Sequence, residues 1–130
     1  MVTYNVNLEG KTVLVTGAAG FIGSNLVKRL FKDIHDIKVI GIDSITDYYD
    51  VNIKYGRLKE IEALGCDWQF YQASIADRTS LENIFTEHKI SVVVNLAAQA
   101  GGALIALLIP DAYIESNLMV SIIFLRHASS

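Results

Sequence analysis

The amino-acid sequence predicts an α/β fold, a parallel sheet with helices on both faces that ends after about four strands. Three observations carry this expectation. Short β-branched apolar runs alternate with segments of helical periodicity, in the order β-α-β-α-β-α-β-α. The run Ser91-Val-Val-Val-Asn95 has no polar face, as a strand covered on both sides requires. No linker, internal repeat or low-complexity tract interrupts the alternation, and one proline in 130 residues argues against a Pro-rich tether.

The elements follow in chain order. Residues 12–16, Thr-Val-Leu-Val-Thr, form a β-branched run that stops at a glycine and reads as a buried strand. Residues 21–31 place Phe21, Ile22, Leu26, Val27, Leu30 and Phe31 at helical spacing. Residues 38–43 are a second apolar strand that ends in an acid. Residues 52–64 read as a helix with Tyr55, Leu58, Ile61 and Leu64 near one face and Gly65 as its stop. A third strand covers 68–72. Residues 77–89 form the next helix, with Leu81, Ile84, Phe85 and His88 at i, i+3, i+4 and i+7. After the strand at 91–95, residues 111–126 read as a last helix, although the run Ile122-Ile-Phe-Leu125 also fits a strand. Alternating elements imply right-handed crossovers between parallel strands.

Composition bounds the function. Residues 1–130 make about one domain. With 52% hydrophobic and 19% charged residues, the chain is too apolar for a disordered one. A net charge of -3 argues against a general binder of nucleic acid or anionic membranes. The longest apolar run, 103–109, has seven residues, and a bilayer-spanning helix needs about 20. Residues 1–10 carry no signal-peptide pattern, so a soluble cytoplasmic protein is expected. The lone Cys66 excludes an internal disulfide and reads as a small semi-buried hydrophobe. His35, His88 and His127 are not at ligand spacing, so no metal site is expected. His88 reads as a helix-end cation or surface residue.

The chemistry concentrates after the first strand. Gly17-Ala-Ala-Gly20-Phe-Ile-Gly23 lies at the junction of that strand and the first helix. A tight turn there needs positive φ, which favours Gly17. A pyrophosphate approaching the backbone needs a position without Cβ, which suits Gly20. Gly23 lets the helix pack hard on the strand, and the helix N-terminus offers unpaired N–H groups and partial positive charge. Asp43 ends the second strand 26 positions after Gly17. A carboxylate there accepts hydrogen bonds from the hydroxyls of an adenosine ribose and repels a 2′-phosphate. NAD is therefore favoured over NADP, and no Arg or Lys between Asp43 and Val51 argues otherwise. The expected fold is thus Rossmann-like.

Thr16-Gly-Ala-Ala-Gly-Phe-Ile-Gly23 resembles the cofactor loop of the extended short-chain dehydrogenase/reductase superfamily. Asn95-Leu-Ala-Ala-Gln-Ala-Gly101 resembles its second cofactor segment. Gly41-Ile-Asp-Ser-Ile-Thr-Asp-Tyr-Tyr-Asp50, with Lys54 and Arg57 following, is similar to the nucleotide-sugar 4-epimerase branch, and within it to the UDP-glucuronate 4-epimerases. The resemblance implies that Gly17, Gly20, Phe21 and Ile22 meet the pyrophosphate, and that Asp43 and Ser44 hold the ribose with Asp47 nearby. It places Ser74 and Ile75 beside the adenine, although the family usually has an acid where Ser74 stands. It places Leu96, Ala97, Ala98 and Gln99 along the nicotinamide-side ribose, and Asn117 near the cofactor.

In that family catalysis is implied to use a Tyr-x-x-x-Lys pair with a nearby Ser or Thr, on the fifth strand and the helix after it. Hydride passes to NAD and returns to the other face of a transient keto-sugar. No catalytic residue is therefore assigned within these 130 residues, and a UDP-sugar is expected as ligand only of a full-length relative. Tyr55-Gly-Arg-Leu-Lys59 has the spacing, but it falls on the helix after the second strand and reads as coincidence. Residues 102–109 are aliphatic where the family carries polar positions that shape the sugar site. The apolar end of the chain predicts self-association, a homodimer through 111–126. Two other readings stay open: a dinucleotide-binding or structural module without catalysis, and the same half of a nucleotide-sugar dehydratase or decarboxylase.

Overall fold

A computed structural model describes residues 8–45, 51–96, 113–116 and 121–124. Its elements are β1 (Lys11–Thr16), α1 (Phe21–Asp33), β2 (Ile37–Asp43), α2 (Val51–Glu62), β3 (Trp68–Gln72), α3 (Arg78–Glu87), β4 (Val92–Asn95), β5 (Tyr113–Ser116) and β6 (Ser121–Phe124). They build one sheet in the order β3-β2-β1-β4-β6-β5. β1 to β4 are mutually parallel, with β1 paired to both β2 and β4. The chain thus winds outwards from β1 to β3 and then crosses back, which makes β1 and β4 the switch point of a doubly wound sheet.

Alternation along the strands sends side chains to two covered faces. Val13, Val15 and Val39 pack against Val27 and Leu30 of α1 and Ile61 of α2. Leu14, Ile40, Ile42 and Val93 pack on the other face against Leu81 and Ile84 of α3. Ile61 is fully buried, and burying a side chain of that size stabilises by about 2 kcal/mol. The sheet's fit to its helices also depends on Gly41 of β2. A Cβ there would run into the Trp68 ring and the Ala18 methyl, so the indole lies where a side chain on the strand would stand.

Helix starts follow local chemistry. Asp77 caps α3 by accepting from the Ser80 N–H at 3.3 Å, and the Ser80 hydroxyl donates back to it at 2.8 Å. These bonds hold the Asp77 carboxyl below its usual range. At the other end of α3, His88 is a part-buried C-cap, its side chain 9% exposed, rather than a surface cation. The Tyr71 hydroxyl lies 2.8 Å from its Nε2 and 3.0 Å from Glu87 Oε2, and Gln69 Nε2 donates to that hydroxyl at 2.8 Å. A hydroxyl has one proton, so donation to Glu87 assigns the Nε2–H tautomer to His88. Burial, reinforced by Lys38, holds the His88 pKa below its ordinary value, against the opposing pull of Glu87 and Asp67. Burial and then Glu87 push the Tyr71 phenol up. Cys66 is exposed, not semi-buried, because it sits in the turn between α2 and β3.

The expected helix over 111–126 is corrected by strands at 113–116 and 121–124. β6 pairs antiparallel with β4, Val92 opposite Phe124 and Asn95 opposite Ser121, and β5 pairs antiparallel with β6. The reason is the edge of β4. Its row of backbone donors and acceptors must be met, and Ile122, Ile123 and Ile114 are stiff β-branched residues that favour the extended form. Among the described residues the sheet therefore has six strands, four parallel and two antiparallel. The aliphatic run 102–109 lies outside the described residues.

Candidate functional site

β1 ends at Thr16, and the chain turns at Gly17 with φ +69°, a conformation open to glycine. The N–H groups of Gly17 and Ala18 both donate to the Ile42 carbonyl, at 2.9 and 3.2 Å, which fastens the turn to the end of β2. Gly20 N–H closes it by donating to the Gly17 carbonyl at 3.1 Å. A Cβ at Gly23 would strike that same carbonyl, so only glycine lets the first turn of α1 lie against the loop.

α1 starts at Gly20 without a side-chain cap and without an acid in its first turn. Its first backbone N–H groups and its positive dipole end are consequently not neutralised by a carboxylate of the helix itself. Phe21 and Ile22, 69% and 53% exposed, flank this end. The Arg57 guanidinium stands over the Phe21 ring at 5.8 Å and donates to the Ala19 carbonyl at 3.2 Å, so α2 straps the loop from outside.

Asp43 is buried and drawn into the same loop. Its Oδ2 accepts from the Ala19 N–H at 3.1 Å, and its Oδ1 from the Ile45 N–H at 2.9 Å. The second bond closes an Asx-type turn that holds Ile45 at φ +55°, a left-handed conformation rare for a β-branched residue. The Lys54 ammonium approaches Oδ1 at 3.4 Å. Beneath the loop, the Thr16 hydroxyl donates to Asn95 Oδ1 at 2.6 Å and accepts from the Leu96 N–H at 2.9 Å. This buried bridge pins the end of β4 to the end of β1.

A cavity of about 370 Å³ opens over the carboxyl ends of these strands. Gly17, Gly20, Ile42, Asp43, Ser44, Lys54, Ala73, Ser74, Ile75 and Leu96 line it. The structure thus brings Gly17, Gly20, Asp43, Ser44, Ser74, Ile75 and Leu96 of the expected set to one place, with Phe21, Ile22 and Gly23 in the adjoining first turn of α1. Asp47, Ala97, Ala98, Gln99 and Asn117 lie outside the described residues. The additions are Lys54 from α2 and the apolar Ile42 and Ala73. Tyr55 and Lys59 are elsewhere: both line a second cavity with Trp68, Phe70 and Gln72, and the Tyr55 hydroxyl donates to Gln72 Oε1 at 3.4 Å. No group of three or more His, Cys, Asp or Glu able to hold a metal ion occurs among the described residues. No helix among them is long and apolar enough to cross a membrane.

The cavity suits a dinucleotide. Its floor is glycine backbone, its helix end is uncapped, Asp43 contributes a carboxylate, and Ile42, Ala73 and Ile75 offer apolar walls. Fold and site define a Rossmann-type nucleotide-binding protein. The sequence profile of the NAD dependent epimerase/dehydratase family matches residues 13–130, and the chain belongs to that family. It is 41% identical over 105 residues to a UDP-glucuronate 4-epimerase of Thermodesulfobacterium geofontis (strain OPF15), covering 81% of this chain and 31% of the relative. Among solved structures, dTDP-glucose 4,6-dehydratase from Bacillus anthracis in complex with NAD matches with a TM-score of 0.66 and 28% identity, over 77% of this chain and 34% of that one. UDP-glucuronic acid 4-epimerase from Bacillus cereus in complex with NAD matches with a TM-score of 0.54 and 37% identity, over 67% and 27%. The chain spans about a third of the length of the curated relatives it matches.

Proposed function

We propose that this chain is the NAD-binding portion of a nucleotide-sugar 4-epimerase that acts on UDP-glucuronate in the cytoplasm. The observation that carries the reading is the Ala19 N–H bond to Asp43, which ties the glycine turn and the ribose acid into one cavity. The first-turn N–H groups of α1 hold the pyrophosphate, Asp43 and Ser44 the adenosine ribose, and Ile42, Ala73, Ser74 and Ile75 the adenine. Asp47, Leu96, Ala97, Ala98, Gln99 and Asn117 complete the contacts along the cofactor. When bound, NAD supplies a reversible hydride acceptor for the sugar carbon. The chain's own residues orient it, and the acid–base pair is assigned to none of these 130 residues. Support for the sugar comes from the 41% identity to a UDP-glucuronate 4-epimerase and from the stretch 41–50. A second reading, the same portion of a dTDP-glucose 4,6-dehydratase, is favoured by the TM-score of 0.66 to the Bacillus anthracis enzyme.

Calorimetric titration of the 130-residue chain tests both. NAD should bind, NADP should bind more weakly, and UDP-glucuronate should give little heat. A folded chain, checked by circular dichroism, that takes no NAD overturns the reading. Turnover of UDP-glucuronate by the chain alone would overturn the assignment of the acid–base pair. We also propose a homodimer through 111–126, now through strand edges rather than a helix. A sedimentation series showing only monomer at every concentration removes it.

A further inference from the structure

We propose that Lys54 determines how strictly the site distinguishes NAD from NADP: it is a latent 2′-phosphate cation, held in check by Asp43. The inference rests on the NAD reading above. A carboxylate offers about four acceptor positions. Within the chain, Ala19 N–H, Ile45 N–H and the Lys54 ammonium take three of those on Asp43. A ribose presenting both hydroxyls to this carboxylate needs two. The two backbone bonds are part of the loop, whereas the 3.4 Å contact to Lys54 is the longest of the three and belongs to a flexible side chain. Ribose binding therefore displaces the ammonium from Oδ1 and leaves it beside the diol, within the cavity that it already lines.

This position has a charge consequence. The side chains of Lys54 and Asp43 are only 16% and 6% exposed, so solvent screens them weakly. An unpaired Asp43 would repel a 2′-phosphate with its full charge. Lys54 offsets that charge, so wild-type discrimination is a balance of one carboxylate against one ammonium. Removing the carboxylate alone leaves an ammonium facing the 2′ position.

Titrations of wild type, Asp43→Asn, Lys54→Met and the double variant with NAD and NADP decide this, each with circular dichroism as a check of fold. Asp43→Asn should bind NADP about tenfold more tightly than NAD, an advantage that shrinks with added salt. Lys54→Met, which keeps the apolar stem, should lose NADP affinity by about tenfold while NAD changes by no more than about threefold. The double variant should show no NADP advantage. A double variant that keeps the NADP advantage, or a Lys54→Met chain whose two affinities move together, overturns the proposal. The Lys54→Met arm stands even where Asp43→Asn does not fold. A folded wild type that binds no NAD breaks the proposed function itself. NAD binding with a selectivity indifferent to Lys54 breaks the present inference and leaves that function intact.

Discussion

α1 and α2 lie on the same face of the sheet and serve the same cavity by opposite means. α1 presents backbone: Gly20 starts it uncapped, and Gly23 brings it flush against the Gly17 carbonyl. α2 presents side chains: Lys54 reaches Asp43, and one turn later Arg57 reaches Ala19 and Phe21. A backbone device depends on what is missing, a Cβ, and leaves a fixed signature in the residue spacing. A side-chain device depends on reach, and Lys or Arg on a helix surface looks the same whether it meets solvent or a buried acid.

The largest expected effect attacks the backbone device. Gly23→Val puts branched carbon into the Gly17 carbonyl and the Ala18 backbone, neither of which can yield without moving β1 or α1. It should cost about 3 kcal/mol or more, read by urea unfolding, with NAD binding lost at concentrations that saturate the wild type. An unchanged midpoint would mean that the close approach is not needed. Arg57→Met attacks the side-chain device. It removes a cation–π contact and one hydrogen bond, and should cost about 1 kcal/mol of stability with a several-fold loss of NAD affinity. A loss equal to that of Gly23→Val would erase the distinction between the two helices.

The smallest effect belongs to the other face, where α3 touches neither device. The His88 pKa is depressed in the folded state by burial and by Lys38. Between that depressed value and about 6.5 the unfolded chain binds the extra proton. His88 therefore contributes stability that is fully present above pH 6.5 and is lost as pH falls through the folded value. Urea midpoints should decline from pH 7 to 5, and His88→Gln should reduce the decline without altering NAD affinity. An identical pH profile in the variant would show that Tyr71 and Glu87 hold the imidazole equally well charged.

What the sequence makes legible follows from the same contrast. The third strand falls at 68–72 as its apolar pattern indicates, and Asp43 ends β2 as expected. Gly17 and Gly23 are readable because positive φ at the first and the close contact at the second admit almost nothing else. Lys54 is not, because 11 positions separate it from Asp43 and only the return of α2 over the loop joins them. His88 looks like a helix-end cation until Tyr71 is known to cover it. The segment 111–126 is ambiguous for a different reason. Isoleucine runs satisfy both the helical and the extended period, and the open edge of β4, distant in sequence, settles the matter in favour of strands.

Trp68 is the single tryptophan of the chain, and its indole lies across the notch left by Gly41, against Ala18. Ala18 is fastened to the end of β2 and belongs to the turn that would carry the diphosphate. The protein therefore contains its own optical gauge. With excitation chosen to spare the six tyrosines, intrinsic emission arises from one indole alone, so a shift in its colour or intensity reports settling of the turn without any attached dye.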